Sequence, residues 1–87
     1  MQVYAILFVN APSEPLRAVI RGAFPDNFYE ITPQQWLVAA NKTAEEIART
    51  LGIGDGDHGQ VMILGVSSYY GWHRKDAWDW MSIKRSL

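Results

Sequence analysis

The residues with chemistry to offer are few. His58 and His73 are the only histidines, and neither has a second histidine or a carboxylate at the spacing that builds a zinc site, so both read as ordinary polar residues. Asp55-Gly56-Asp57 opens like a calcium loop, but the twelfth position counted from Asp55 is Val66, where a bidentate glutamate is needed, and the sixth is Gln60 instead of glycine. The same stretch lacks a following Gly-Lys-Ser/Thr and precedes a run with strand character, so residues 54–59 read as a solvated loop and not a phosphate cradle. Ser67 and Ser68 adjoin that run without a nucleophile-elbow pattern. The chain has no cysteine, which removes disulfides, thiolate metal sites and thiol nucleophiles and makes an intracellular setting the default.

One stretch stands apart. Tyr69-Tyr70-Gly71-Trp72-His73-Arg74-Lys75, followed by Trp78, Trp80 and Met81, places five of the eleven aromatic residues within twelve positions. Tyr69, Tyr70 and Trp72 beside Arg74 and Lys75 have the makings of a surface that stacks bases and contacts phosphate, or that anchors a partner protein. The competing reading is packing. Trp78 and Met81, three apart on a helix, would lie on a sheet or a partner with Tyr69 and Tyr70 bordering the contact, and such aromatics outnumber stacking platforms in small domains. Charge is unevenly distributed: residues 1–72 carry four Lys/Arg against seven Asp/Glu, a net of −3, and residues 73–87 carry four against two, a net of +2. A broad basic face for nonspecific nucleic-acid binding is therefore not expected, although a local basic patch near the C-terminus is.

The elements that position these residues follow from periodicity. Val3-Tyr4-Ala5-Ile6-Leu7-Phe8-Val9 is an unbroken apolar run closed by Asn10 and Pro12, the pattern of a buried central strand. Ser13 caps a first helix with Pro15 in its first turn. Leu16, Val19, Ile20, Ala23 and Phe24 then recur at helical spacing, and Arg17 and Arg21 fall on the solvated side. Pro25-Asp26-Asn27 is a turn. Phe28 to Thr32 and Gln35 to Ala40 form two strands of an antiparallel hairpin. Thr43 and Glu46 spell a capping box ahead of Ala44, Ile47, Ala48 and Leu51, and Gly52 stops that second helix. Residues 60–66 form a fourth strand, apolar on both faces, and a third helix runs from about Lys75 to Arg85.

The order β-α-β-β-α-β matches the ferredoxin-like split βαβ, an α+β domain with a four-stranded antiparallel sheet, two helices on one face and a C-terminal aromatic helical extension. Eighty-seven residues suffice for this single domain, 1–87. Both faces of the first strand are apolar, and two helices cover only one. The other must be covered by the C-terminal segment or by a second copy of the chain, and a symmetric homodimer is the simplest expectation. The start Met1-Gln2-Val3-Tyr4 carries no positively charged leader and no apolar run is long enough to span a bilayer, so a cytoplasmic protein without membrane contact is expected.

The chain resembles the small SinR-like proteins, which are similar to the CRISPR-associated Cas-two family and to VapD-type toxins. The resemblance covers nearly the whole chain. It rests on the first strand ending in Phe8-Val9-Asn10, on Trp36-Leu37-Val38 leading to Asn41-Lys42-Thr43-Ala44-Glu45-Glu46-Ile47, and on Gly71-Trp72 with Ala77-Trp78-Asp79-Trp80. It implies a ferredoxin-like homodimer. For some relatives it also implies Mg- or Mn-dependent cleavage of RNA or DNA, or a structural role holding DNA in a larger complex. In nuclease-type members an aspartate ends the first strand, where two copies across the dimer would hold a divalent cation. Here that position is Asn10, and a neutral amide is a poorer ligand for a hard cation than a carboxylate.

The expectation is accordingly a homodimeric module of the Cas-two or SinR-like kind, non-catalytic and without a cofactor, that contacts nucleic acid or a partner protein through Tyr69, Tyr70, Trp72, Arg74 and Lys75. The first alternative is a metal-dependent endoribonuclease whose acidic ligand comes from elsewhere, for instance Asp26. The second is a small-molecule-binding domain, since ferredoxin-like sheets host many functions. An acylphosphatase is disfavoured because no arginine-bearing phosphate loop follows the first strand, and a metallochaperone because there is no Cys-x-x-Cys.

Overall fold

The apolar run near the N-terminus becomes β1 (Gln2–Phe8), which pairs antiparallel with a strand on each side. The computed structural model describes residues 1–87. The remaining elements follow as α1 (Glu14–Ala23), β2 (Phe28–Thr32), β3 (Gln35–Ala40), α2 (Ala44–Leu51), β4 (Val61–Val66) and α3 (Lys75–Ser86). The sheet order is β2-β3-β1-β4 with every pairing antiparallel. This is the ferredoxin-like βαββαβ arrangement, with β1 and β3 central and α3 added after it.

Local chemistry sets the element ends. The Ser13 hydroxyl accepts the Leu16 N–H at 3.3 Å, which starts α1. In α2 the Thr43 hydroxyl accepts from the Glu46 N–H at 3.1 Å while the Glu46 carboxylate accepts from the Thr43 N–H at 2.9 Å. Gly52 then closes α2 at φ 69, a left-handed conformation glycine adopts without penalty. Pro33 and Gln34 turn β2 into β3, and the Pro33 carbonyl accepts from Trp36 Nε1 at 2.9 Å, so the polar end of the fully buried indole is satisfied.

Alternation assigns the two sheet faces. Ile6, Phe8, Trp36 and Val38 point to α1 and α2 and pack on Leu16, Ile20, Ile47 and Leu51. Val3, Leu37 and Ala39 point the other way and pack around Met81 of α3. Two details of α1 differ from the helical-wheel reading. Val19 is exposed, and Arg17 and Arg21 bend back to the sheet instead of remaining free in solvent. Arg17 Nη2 meets the Glu30 carboxylate of β2 at 3.0 and 3.3 Å, and the Arg21 guanidinium lies 5.8 Å from the Trp36 ring centre. Long cationic side chains reach a sheet edge that a helical wheel does not display.

The second face is only half covered. A helix is about 10 Å across and strands lie about 4.8 Å apart, so α3 shields roughly two of the four strands. It takes the β3 side and the start of β1. Leu7, Met62 and Leu64 stay 38%, 57% and 44% exposed, and Val9 just beyond β1 is 58% exposed. Of the two covers expected for this face, the C-terminal segment supplies one, and it covers the face only in part.

Replacing Thr43 by alanine removes the acceptor that starts α2 and is expected to lower stability by about 1 kcal/mol in urea denaturation at neutral pH. The Glu46 carboxyl is held below its usual range, first by the Thr43 backbone N–H and then by its hydroxyl. A depressed folded-state value stabilises above the ordinary carboxylate range, and that stability is lost as pH falls from there through the lowered value. Thr43→Ala keeps the backbone N–H and removes only the hydroxyl, so only the hydroxyl's share of the difference between wild type and variant should shrink over that window.

Candidate functional site

The aromatic stretch forms the connection from β4 to α3 and the first turn of that helix. It leaves β4 at Val66, and Tyr69 lines with Val66, Leu37 and Met81 an apolar recess of about 190 Å³ beneath α3. Tyr69 is fixed in place. Its ring stacks on Trp78 with centres 5.6 Å apart and planes 19° apart, and the Arg85 guanidinium lies 5.3 Å from its centre. Arg85 also donates to the Ser67 carbonyl at 2.8 Å. Tyr69 therefore belongs to the packing of the second face.

Tyr70 and Trp72 do the opposite: their relative exposures are 101% and 100%. Gly71 between them has φ 150, a backbone conformation that a side chain would strain. Trp72, with His73, Arg74, Ile31 and Thr32, borders an open cleft of about 460 Å³ at the β2 edge.

Arg74 and Lys75 are both engaged. Arg74 Nη2 donates to the Tyr29 hydroxyl at 2.7 Å, and that hydroxyl donates to the Asp76 carboxylate at 3.0 Å. Arg74 Nε also lies 3.6 Å from Asp76. Lys75 Nζ bonds Asp79 Oδ2 at 2.9 Å, and this bond, with the charge of Asp79, raises the lysine pKa. Each cation has a carboxylate beside it, so the local field towards a phosphate is weak. Sequence reasoning missed Tyr29. Its ring, 6.1 Å from that of Trp80, and its hydroxyl together tie β2 to the start of α3, and no spacing rule links positions 47 apart in the chain.

The polar residues considered for metal chemistry do not converge. Asn10 follows the end of β1, next to the loop at Gly59. Asp26 sits at the α1–β2 turn with φ 62, and the register Phe28↔Val38 and Tyr4↔Val38 puts that turn at the opposite end of the sheet. The length of α1 separates the two, roughly 15 Å for ten residues. The Asp55 carboxylate accepts the Asp57 N–H at 3.1 Å, which holds its pKa low and closes the loop on itself. No three His, Asp or Glu side chains gather where they would share a cation, and no helix is long and apolar enough to cross a membrane.

Comparison with protein-family models, with curated proteins and with solved structures yields no match. What the chain offers a partner is thus read from its own surfaces: the strip of Leu7, Val9, Met62 and Leu64, and the pair Tyr70 and Trp72.

If Trp72 serves only outward contacts, Trp72→Ala should change the unfolding free energy by less than about 0.5 kcal/mol, as exposed positions do. Tyr69→Ala, which deletes a stacked and half-buried ring, should lower it by about 2 kcal/mol or more. Parallel denaturation curves for the two variants check this contrast.

Proposed function

We propose that this protein is a homodimeric, non-catalytic interaction module of the Cas-two and SinR-like kind, whose open strip meets a second copy and whose Tyr70 and Trp72 engage a further partner. The observation that carries the reading is the exposure of Leu7, Val9, Met62 and Leu64 after α3 has taken its share of the same face. Contiguous aliphatic side chains of this kind are uncommon on a monomer unless a partner covers them. For the further partner, a protein surface fits better than a nucleic acid. Two exposed rings would serve either, but Arg74 and Lys75 are matched by Asp76 and Asp79 and add no net positive charge. The non-catalytic part rests on Asn10 at the end of β1 and on the separation of Asn10 from Asp26.

Sedimentation equilibrium at micromolar concentration tests the reading. Wild type should weigh twice the chain mass, and Leu64→Lys, which puts a charge on an exposed strip residue, should shift the protein to monomer with its circular dichroism unchanged. A monomeric wild type would overturn the dimer. Incubation with single-stranded RNA and Mn²⁺ should give no product, and cleavage abolished by a chelator would overturn the non-catalytic assignment.

A further inference from the structure

The sheet has two free edges, and they are built differently. On β2 the edge is five residues long, carries Glu30 at its centre, and is interrupted by a β-bulge between Glu30 and Thr32. These are the devices that discourage strand addition. On β4 the edge reads Val61-Met62-Ile63-Leu64-Gly65-Val66, with no charge, no proline and no bulge. Nothing on it opposes pairing.

The hydrogen-bond phase of that edge is fixed. Val9 N–H donates to the Gln60 carbonyl at 3.1 Å, so the bonded pairs of β1 with β4 are Val9–Gln60 and then every second pair, Leu7–Met62, Ala5–Leu64 and Val3–Val66. The N–H and C=O groups of Val61, Ile63 and Gly65 therefore point away from the sheet. No side chain or loop bonds to them.

We infer that β4 pairs antiparallel with β4 of a second copy, joining two four-stranded sheets into one of eight. This rests on the homodimer proposed above and sets its contact at the β4 edge of the open strip, where Met62 and Leu64 meet the second copy while Leu7 and Val9 stay on the sheet face. A two-fold axis through the Ile63 pair sets Ile63 against Ile63 and Val61 against Gly65 of the other chain, so all three outward donors and all three outward acceptors of each chain find a partner. The same register sets Met62, 57% exposed, beside Leu64 of the other copy, 44% exposed, on the α3 side of the sheet. No charged residue lies at any paired position from Gln60 to Val66. The same operation on β2 would bring Glu30 against Glu30, which like-charge repulsion disfavours. A second copy supplies this match at every encounter, whereas a foreign peptide would have to be apolar on both faces and uncharged as well.

Gly65 gives a direct test. Its N–H points outward, and a Cβ there meets only ordinary contacts, with Tyr4 at 3.6 Å and Gln2 at 3.7 Å. Proline is tolerated on an edge strand where the missing N–H faces solvent. Gly65→Pro should be a folded monomer by sedimentation and circular dichroism, while Gly65→Ala, which keeps the donor, should remain a dimer. Hydrogen exchange on wild type provides a measurement that needs no variant. The amides of Val61, Ile63 and Gly65 should exchange on the order of tenfold or more slowly in the dimer, and lose that protection on dilution. A dimeric Gly65→Pro, or a wild-type dimer in which these three amides exchange freely, overturns the edge pairing and leaves a dimer built on the sheet face. Protection that appears only when an unrelated extended peptide is added overturns the second copy as occupant. A wild type that is monomeric at every concentration overturns both the pairing and the dimer.

Discussion

Val3, Ala5 and Leu7 alternate with Tyr4, Ile6 and Phe8 along a strand that has a neighbour on either side, so water has to be kept from both faces of the sheet at its centre. The rest of the molecule answers to that demand. α1 and α2 close one face completely enough for Ile6, Ile20, Trp36, Val38 and Ile47 to be wholly buried. On the other face lies the single helix α3, and its width matches half the sheet. The open strip is thus a geometric remainder: four strands need two helices per face, and the second face receives one.

The position of that one helix is set by Tyr29. Its hydroxyl accepts from Arg74 and donates to Asp76, and its ring meets Trp80, so the first turn of α3 is fastened to β2. At the other end the N-terminal ammonium of Met1 donates to the Lys84 carbonyl at 3.3 Å. Fastened at both points, α3 crosses from β2 to the start of β1 and the Val66 end of β4, and leaves Met62 and Leu64 uncovered. The same bonds occupy Arg74, whose guanidinium serves architecture before it serves any ligand. The contacts of a basic residue in an aromatic segment, here with Tyr29 and Asp76, are not visible in one dimension.

Much of the fold was legible because period and punctuation agree. The capping box at Thr43 and Glu46, the glycine at position 52 and the unbroken apolar first strand each rest on local rules, and the ferredoxin-like order follows from reading them in sequence. Those rules are silent about contacts between residues far apart in the chain. Arg17 and Arg21 lie on the polar arc of α1, yet Glu30 and Trp36 draw them to the sheet edge. Tyr69 and Tyr70 are adjacent and alike, yet one stacks on Trp78 and the other stands in solvent. The difference comes from where the connection crosses the sheet, which no spacing encodes. Of the candidate site, the segment was legible and the division of labour within it was not.

An active centre announces itself by bringing together polar groups that would each prefer water, and by holding them there against that preference. This chain distributes such groups instead. Asn10 and Asp26 stand at opposite ends of the sheet, Asp55 is turned into its own loop, and Asp76 and Asp79 are matched one to one with Arg74 and Lys75. No polar side chain is buried. Apart from Arg17 Nε, which is buried without a hydrogen-bond partner, the groups kept away from their preferred surroundings are apolar ones: Leu7, Val9, Met62 and Leu64 on the sheet, and Tyr70 and Trp72 in the connection. Hydrocarbon left in water carries a free-energy cost that contact with another surface relieves, and this cost is what supports the interaction module proposed above.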